Sequence, residues 1–191
     1  MSVNRMCYVG IDLAVRKGRC CGIAIEFDGK CEAFCAYSWG ETVSVLAKLL
    51  TQCSRCVVAI DAPLTLPSQD RAFREVDRKV IEKGFRLLPL SFRGMKLLAQ
   101  RAIELRKLLE NMGCVVVETH PRSALMSSGC LSVEDLTSSI GIACRREACA
   151  AYVKDVKDSI VALAVAICVD RGCAEFVEAS DGCIALLKKL C

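Results

Sequence analysis

Histidine is almost missing from this chain: His120 is the single one among 191 residues. A four-ligand zinc site would therefore need scattered thiols, and the lone C-x-x-C at Cys53 and Cys56 has no second pair to complete it. Long charge-free stretches are missing too. The longest in the late apolar region covers residues 159–169, against roughly 20 residues needed to cross a bilayer, so no membrane span is expected. Asp12 interrupts the N-terminus before an apolar run of signal-peptide length forms, which points to a cytoplasmic protein. Neither a glycine-rich phosphate loop nor G-x-x-x-x-G-K is present. That argues against an actin-like ATP phosphotransferase, which also usually needs two domains. No internal repeat or low-complexity tract stands out.

What is there is a core-forming chain, 53% hydrophobic and 25% charged, of a length that suits one domain over residues 1–191. Fifteen cysteines stand beside two asparagines and three glutamines. Core packing of thiols explains some of them. The balance is also that of a hyperthermophile, whose intracellular proteins carry disulfides, and the odd count leaves at least one thiol unpaired within the chain. The net charge of +4 is small, but residues 70–107 hold eleven Lys and Arg against five Asp and Glu, so the rest of the chain sums to −2. This block suits a polyanion partner by counterion release, and a solvated helix face gives the same count. A basic insertion or lid is expected at residues 66–92.

The apolar pattern predicts strands at residues 7–11, 20–27 and 31–39, the second and third joined by an Asp28-Gly29 hairpin turn. A helix begins at Glu41, a buried strand covers 56–60, and a short helix is expected within 70–86. An amphipathic helix over 93–112 stops at Gly113, and a further buried strand covers 114–117. A Ser- and Gly-rich connection at 127–141 leads to a long helix over 145–169. The tail predicts a small edge strand at 174–177 and then a short turn of helix. Trp39 is expected to fill the sheet edge and His120, before Pro121, to constrain a loop. A hairpin followed by crossover units gives an α/β class with a mixed sheet.

Three of these strands end in acids, Asp12, Asp61 and Glu118. Singly, such a residue is more often a cap or turn residue, and Glu118 could pair with Arg122. Together they sit where parallel α/β sheets gather their ligands, and an ionised carboxylate there calls for a partner or metal. Asp155 and Asp158, three apart, share one side of the last helix; they either join the cluster or pair with neighbouring bases. Oxygen ligands without paired histidines select Mg2+ or Mn2+. Two such ions activate water and stabilise the leaving oxygen of a phosphodiester.

The segments GIDLAVRKGRCCGIAI (10–25), VVAIDAPLTLP (57–67), LSFRGMKLL (90–98), VVETHPRSAL (116–125) and KDSIVALAVAI (157–167) resemble an uncharacterised family described as predicted nucleases of the ribonuclease H-like fold. The resemblance spans nearly the whole chain. It implies a five-stranded sheet of order 3-2-1-4-5 and places metal ligands on Asp12, Asp61 and Asp158. Glu118 matches the family's glutamate before its proline, and Asp155 is similar in placement to the first acid of the D-x-x-D pair of Holliday-junction resolvases. The first helix carries no acid matching the catalytic glutamate of ribonuclease H, because Glu41 stands at its very start; Glu118 is the available substitute. The expectation is a Mg2+- or Mn2+-dependent nuclease with Asp12, Asp61, Glu118 and Asp158 as catalytic residues and Asp155 as an added ligand. Arg74, Arg93 and Lys96 would position phosphates of a DNA or RNA partner. A noncatalytic nucleic-acid or protein-binding module is the alternative, and a dimer stays open.

Overall fold

The computed structural model describes residues 5–16, 18–68, 71–146 and 153–191. Strands β1 (Met6–Asp12), β2 (Cys21–Phe27) and β3 (Lys30–Ala36) form an antiparallel meander. Helix α1 (Trp39–Leu50), capped by the Ser38 side chain, leads to β4 (Arg55–Asp61), which lies parallel to β1. Then come α2 (Glu75–Glu82), α3 (Arg93–Asn111) and β5 (Val115–Thr119), followed by α4 (Pro121–Ser128), α5 (Val133–Ser139) and β6 (Cys144–Arg146). Helix α6 (Val153–Arg171) and the hairpin β7 (Ala174–Ala179) and β8 (Gly182–Leu187) complete the fold.

The elements make one mixed sheet of order β6-β3-β2-β1-β4-β5-β8-β7. The expected order 3-2-1-4-5 is its interior, but the sheet is not five-stranded. The three-residue β6 extends one edge and β8-β7 the other. The C-terminal hairpin replaces the expected turn of helix because Ile184 to Leu187 are buried on both sides. The expected connection over 127–141 contains helix α5 and the last two residues of α4 instead. Pro121 opens α4, Gly129 in the left-handed region (φ 76°) ends it, and Ser132 caps α5. The last helix was expected from residue 145, yet Cys144–Arg146 is a strand and the described helix begins at Val153; residues 147–152 lie outside the described residues. Trp39 opens α1 rather than ending a strand.

The buried strands decode into two faces. Val9, Ile11, Ile23, Ile25, Val58 and Ile60 pack with residues of α1 and α3. Tyr8, Ala24, Val57 and Ala59 pack on the other side with α6, α4 and α5. Small residues dominate this second face, and two are glycines. A Cβ on Gly10 would lie 2.1 Å from both the Ser159 carbonyl oxygen and the Leu163 nitrogen, and one on Gly22 would lie 2.2 Å from the Asp155 carbonyl oxygen. Helix α6 thus rests backbone to backbone on β1 and β2. Its residues Ile160 to Cys168 are fully buried, and the Tyr8 hydroxyl donates to Asp170 at 2.7 Å near the far end. The helix therefore runs antiparallel to β1, with its N-terminal turns over the C-terminal end of that strand.

Among the described residues six disulfides tie these layers: Cys7–Cys53, Cys20–Cys35, Cys31–Cys144, Cys56–Cys114, Cys130–Cys191 and Cys168–Cys173. Cys53 and Cys56, three residues apart, bond to different partners. Among the described residues Cys21 is a buried free thiol and Cys183 an exposed one. Among the described residues no helix is long and apolar enough to cross a membrane. The segment expected as a lid is partly fastened to the fold. Val76 and Val80 are fully buried, and the Asp181 carboxylate accepts from the Glu75 and Val76 amides at 2.6 and 3.1 Å.

Gly10→Ala should therefore destabilise the oxidised protein by about 3 kcal/mol or more, since backbone rather than a pliable side chain must yield, lowering the Tm by roughly 10 °C. Gly40→Ala, whose Cβ meets nothing within 4 Å, should leave it within a degree or two. Calorimetry of both variants checks this; equal melting points would contradict the close approach of α6.

Candidate metal centre

The parallel pairing of β1 with β4 is registered so that Asp12 lies directly beside Asp61 at the strands' C-terminal ends. The Gly10 and Gly22 contacts bring the first turns of α6 down onto this edge. Asp12, Asp61 and Asp158 each offer a carboxylate oxygen, and the three oxygens lie within 4.8 Å of one another. All three residues are half-buried. Burial pushes the Asp12 carboxyl up from 3.8 to about 7, reinforced by the charges of Asp158 and Asp155. Asp61 is raised well above the ordinary carboxylate range, again first by burial and then by Asp12 and Asp158. Lys154 opposes both shifts and donates to Asp158 at 2.5 Å, with most of its side chain in solvent.

Asp155 and Glu118 do not join the trio. Asp155 faces it closely enough to raise Asp12 by charge alone. Glu118 is buried and occupied: one oxygen accepts from Leu64 N and Arg74 Nη1 at 2.7 and 2.8 Å, the other from Arg74 Nη2 at 2.5 Å. Glu118 thus pairs with Arg74 rather than with the alternative partner Arg122, and its oxygens are occupied where a stand-in for a catalytic glutamate was expected. It positions the turn after Asp61 through the Leu64 amide.

Arg74, expected to hold phosphate, is 1% exposed. Its guanidinium also donates to Asp77 through Nε and Nη2 and to Thr65 through Nη1, so no donor remains for a ligand. Arg93 and Lys96 are exposed on α3, whose Met95 and Leu98 line a cleft of about 260 Å3 beside Asp12 and Asp61.

A wider groove of about 860 Å3 borders Asp61 and Asp158 and carries Arg86, Arg122, His120 and Lys154. These four were not singled out as site residues. The i−4 spacing of Lys154 from Asp158 was a signal for one of them. His120 lines both spaces; its Nδ1 is 2.7 Å from Ser123 Oγ, and burial lowers its pKa so that the ring is neutral at pH 7.

The sheet edge thus presents a group of hard oxygen donors whose charge Lys154 offsets only in part, a donor set suited to Mg2+ or Mn2+. Residues 10–181 match the family described as protein of unknown function (DUF429), and the chain belongs to that family. No curated protein matches the chain, and no solved structure does.

Two outcomes follow from these charges. The folded chain holds the Asp12 proton more tightly than the unfolded one, so stability in EDTA should fall as pH rises from about 4 to about 7. Asp12→Asn should recover on the order of 1 kcal/mol at pH 8, about 2–4 °C in Tm. An unchanged pH slope would contradict the crowding. Arg74→Met leaves two buried carboxylates unpaired and should cost about 3–5 kcal/mol in urea unfolding, part of which Glu118→Gln restores.

Proposed function

We propose that the protein is a divalent-metal-dependent nuclease of the ribonuclease H-like fold. The observation that carries this reading is the convergence of Asp12, Asp61 and Asp158, from three distant parts of the chain, within 4.8 Å at the C-terminal edge of adjacent parallel strands. The interior order 3-2-1-4-5 with an antiparallel second strand supports the fold assignment.

Asp12, Asp61 and Asp158 would hold the metal, and when bound, a pair of Mg2+ or Mn2+ ions supplies activated water and neutralises charge on the leaving oxygen. The chain's own side chains do the rest. Lys154, most of its side chain in solvent, pairs its ammonium with Asp158 and helps to hold that carboxylate at the centre. Arg86 and Arg122, exposed along the wider groove, attract the phosphates that flank the scissile one. His120, neutral and oriented by Ser123, is able to exchange a proton at the boundary of the two spaces. Glu118 and Arg74 act at one remove, fixing the segment that follows Asp61.

The test is cleavage of single-stranded, hybrid and branched substrates in Mn2+. Asp12→Asn and Asp61→Asn should each lower the rate by at least about 100-fold, the scale expected when charge stabilisation at the reacting phosphate is removed. They should also abolish any rise in Tm on adding Mn2+. Wild-type rates in Asp12→Asn would overturn the assignment, and salt-sensitive binding without turnover in the wild type would favour the noncatalytic module.

A further inference from the structure

A second pocket lies on the same end of the sheet. The chain beyond Asp12 supplies Ala14, Val15, Arg16 and Arg19, α1 supplies Trp39, and α3 supplies Arg101, around a cavity of about 200 Å3. Its walls include Tyr37 and, among the described residues, no carboxylate. The Arg101 guanidinium stacks over the Trp39 ring at 4.7 Å. Stacking uses the flat face of the cation and leaves its in-plane N–H groups for acceptors; one of them meets Glu104 at 3.1 Å. Arg16 and Arg19 are exposed, so three like charges face a small space with aromatic surface beside them. Such a space is completed by an anion carrying a flat apolar group.

Two segments of chain lead from this pocket to the carboxylate centre. Asp12 and Val15 are three residues apart, at most about 11 Å along the chain. Met95, Leu98 and Arg101 recur every three residues on one stripe of α3. The first two line the cleft beside Asp12 and Asp61, and the third lines this pocket, one step of about 4.5 Å further on.

We propose that this pocket is a subsite for one unpaired, phosphate-flanked nucleotide of a single strand that continues to the carboxylate centre. Arg16, Arg19 and Arg101 bind the phosphate, and the base lies against Tyr37 and Trp39. At about 200 Å3 the space is smaller than the roughly 300–1,000 Å3 of drug-sized sites, room for one base and its phosphate but not for a stacked pair. Base faces must be free for such contacts, which selects single strands. The second half of the proposal, that the strand runs to a cleavage centre, rests on the nuclease reading; the binding half does not.

Trp39 is the chain's only tryptophan, so its fluorescence reports this pocket alone. The full-length oxidised protein is titrated in EDTA, at about 50 mM salt, with oligothymidylate and oligouridylate of about ten nucleotides and with a blunt duplex. Both single strands, or one of them, should produce a saturable fluorescence change that the duplex does not. The two arms separate DNA from RNA. In the double variant Arg16→Ala, Arg19→Ala, shown folded by circular dichroism, affinity should fall at least tenfold and the log–log salt slope should shrink by about 1.4. An unmoved Trp39 signal while anisotropy of labelled strand reports saturation would overturn the subsite, as would equal affinity and slope in the double variant. Because no metal is present, these results are independent of cleavage. A wild type that binds by these criteria but does not cut in Mn2+ retains the pocket and loses the nuclease, and one that cuts but fails them loses only the pocket.

Discussion

Helix α6 touches β1 and β2 through backbone alone at Gly10 and Gly22, and the placement of Asp158 beside the strand-end acids Asp12 and Asp61 follows from that contact. With the helix antiparallel to the strand, the Asp155 carbonyl sits over Gly22 and the Ser159 carbonyl over Gly10, so Asp158 falls level with Asp12. A slide of one helical turn, about 5.4 Å, would exceed the 4.8 Å span of the three carboxylate oxygens. Bulky packing between helix and sheet permits such slides more readily than backbone contact does, because side chains repack and carbonyl oxygens do not. The alternation of large aliphatic residues toward α1 and α3 with small ones toward α6 is the same constraint seen along the strands.

The acids that crowd this end of the fold divide by how they are balanced. Asp77 and Glu118 share the buried Arg74, which fills their lone pairs and fixes the turn beyond β4. Among the described residues, Asp12, Asp61 and Asp158 share Lys154 as their cation, and its side chain is mostly in solvent. Burial then raises Asp12 and Asp61 instead of pairing them. A group of carboxylates left this way is unfavourable in the isolated chain, and the fold carries it with support from elsewhere. The Cys7–Cys53 and Cys56–Cys114 bridges fasten β1 and β4, the two strands that hold the unbalanced pair, to the chain around them. Crosslinks of this kind act on the unfolded chain and ask nothing of the site's geometry.

The parts legible in the sequence were those with strong local signals. The buried runs ending in Asp12 and Asp61, the Asp28-Gly29 hairpin and the amphipathic α3 are all present. The failures came where tertiary context decides. The β8 segment, Cys-Ile-Ala-Leu-Leu, has the same apolar run whether helix or strand, and only its place between β5 and β7 settles it. Helices α4 and α5 are short and polar enough to read as loop, although Pro121, Gly129 and Ser132 marked their ends. Arg74 was counted with the basic block because net charge is blind to burial; its partner Glu118 is 44 residues away. Strand ends and helix spacing marked Asp12, Asp61, Glu118, Asp155 and Asp158 alike, and the choice of Asp12, Asp61 and Asp158 came from the family resemblance; in the structure those three carboxylates converge, while Glu118 is held by Arg74.

Along the sheet edge the charges alternate. Arg16, Arg19 and Arg101 lie on one side of the carboxylates and Arg86 and Arg122 on the other. A polyanion approaching the middle alone would meet like charge, whereas one long enough to reach both flanks gains attraction before the centre is neutralised. Under the function proposed above, affinity and chemistry would be assigned to different residues. The flanks would set how tightly a strand is held and how strongly salt competes, and the centre would need a cation only for the phosphate that lies over it. In such an arrangement a short ligand that reaches only the centre is bound worse than a longer one whatever its sequence, and substrate length is selected by electrostatics before any base is read.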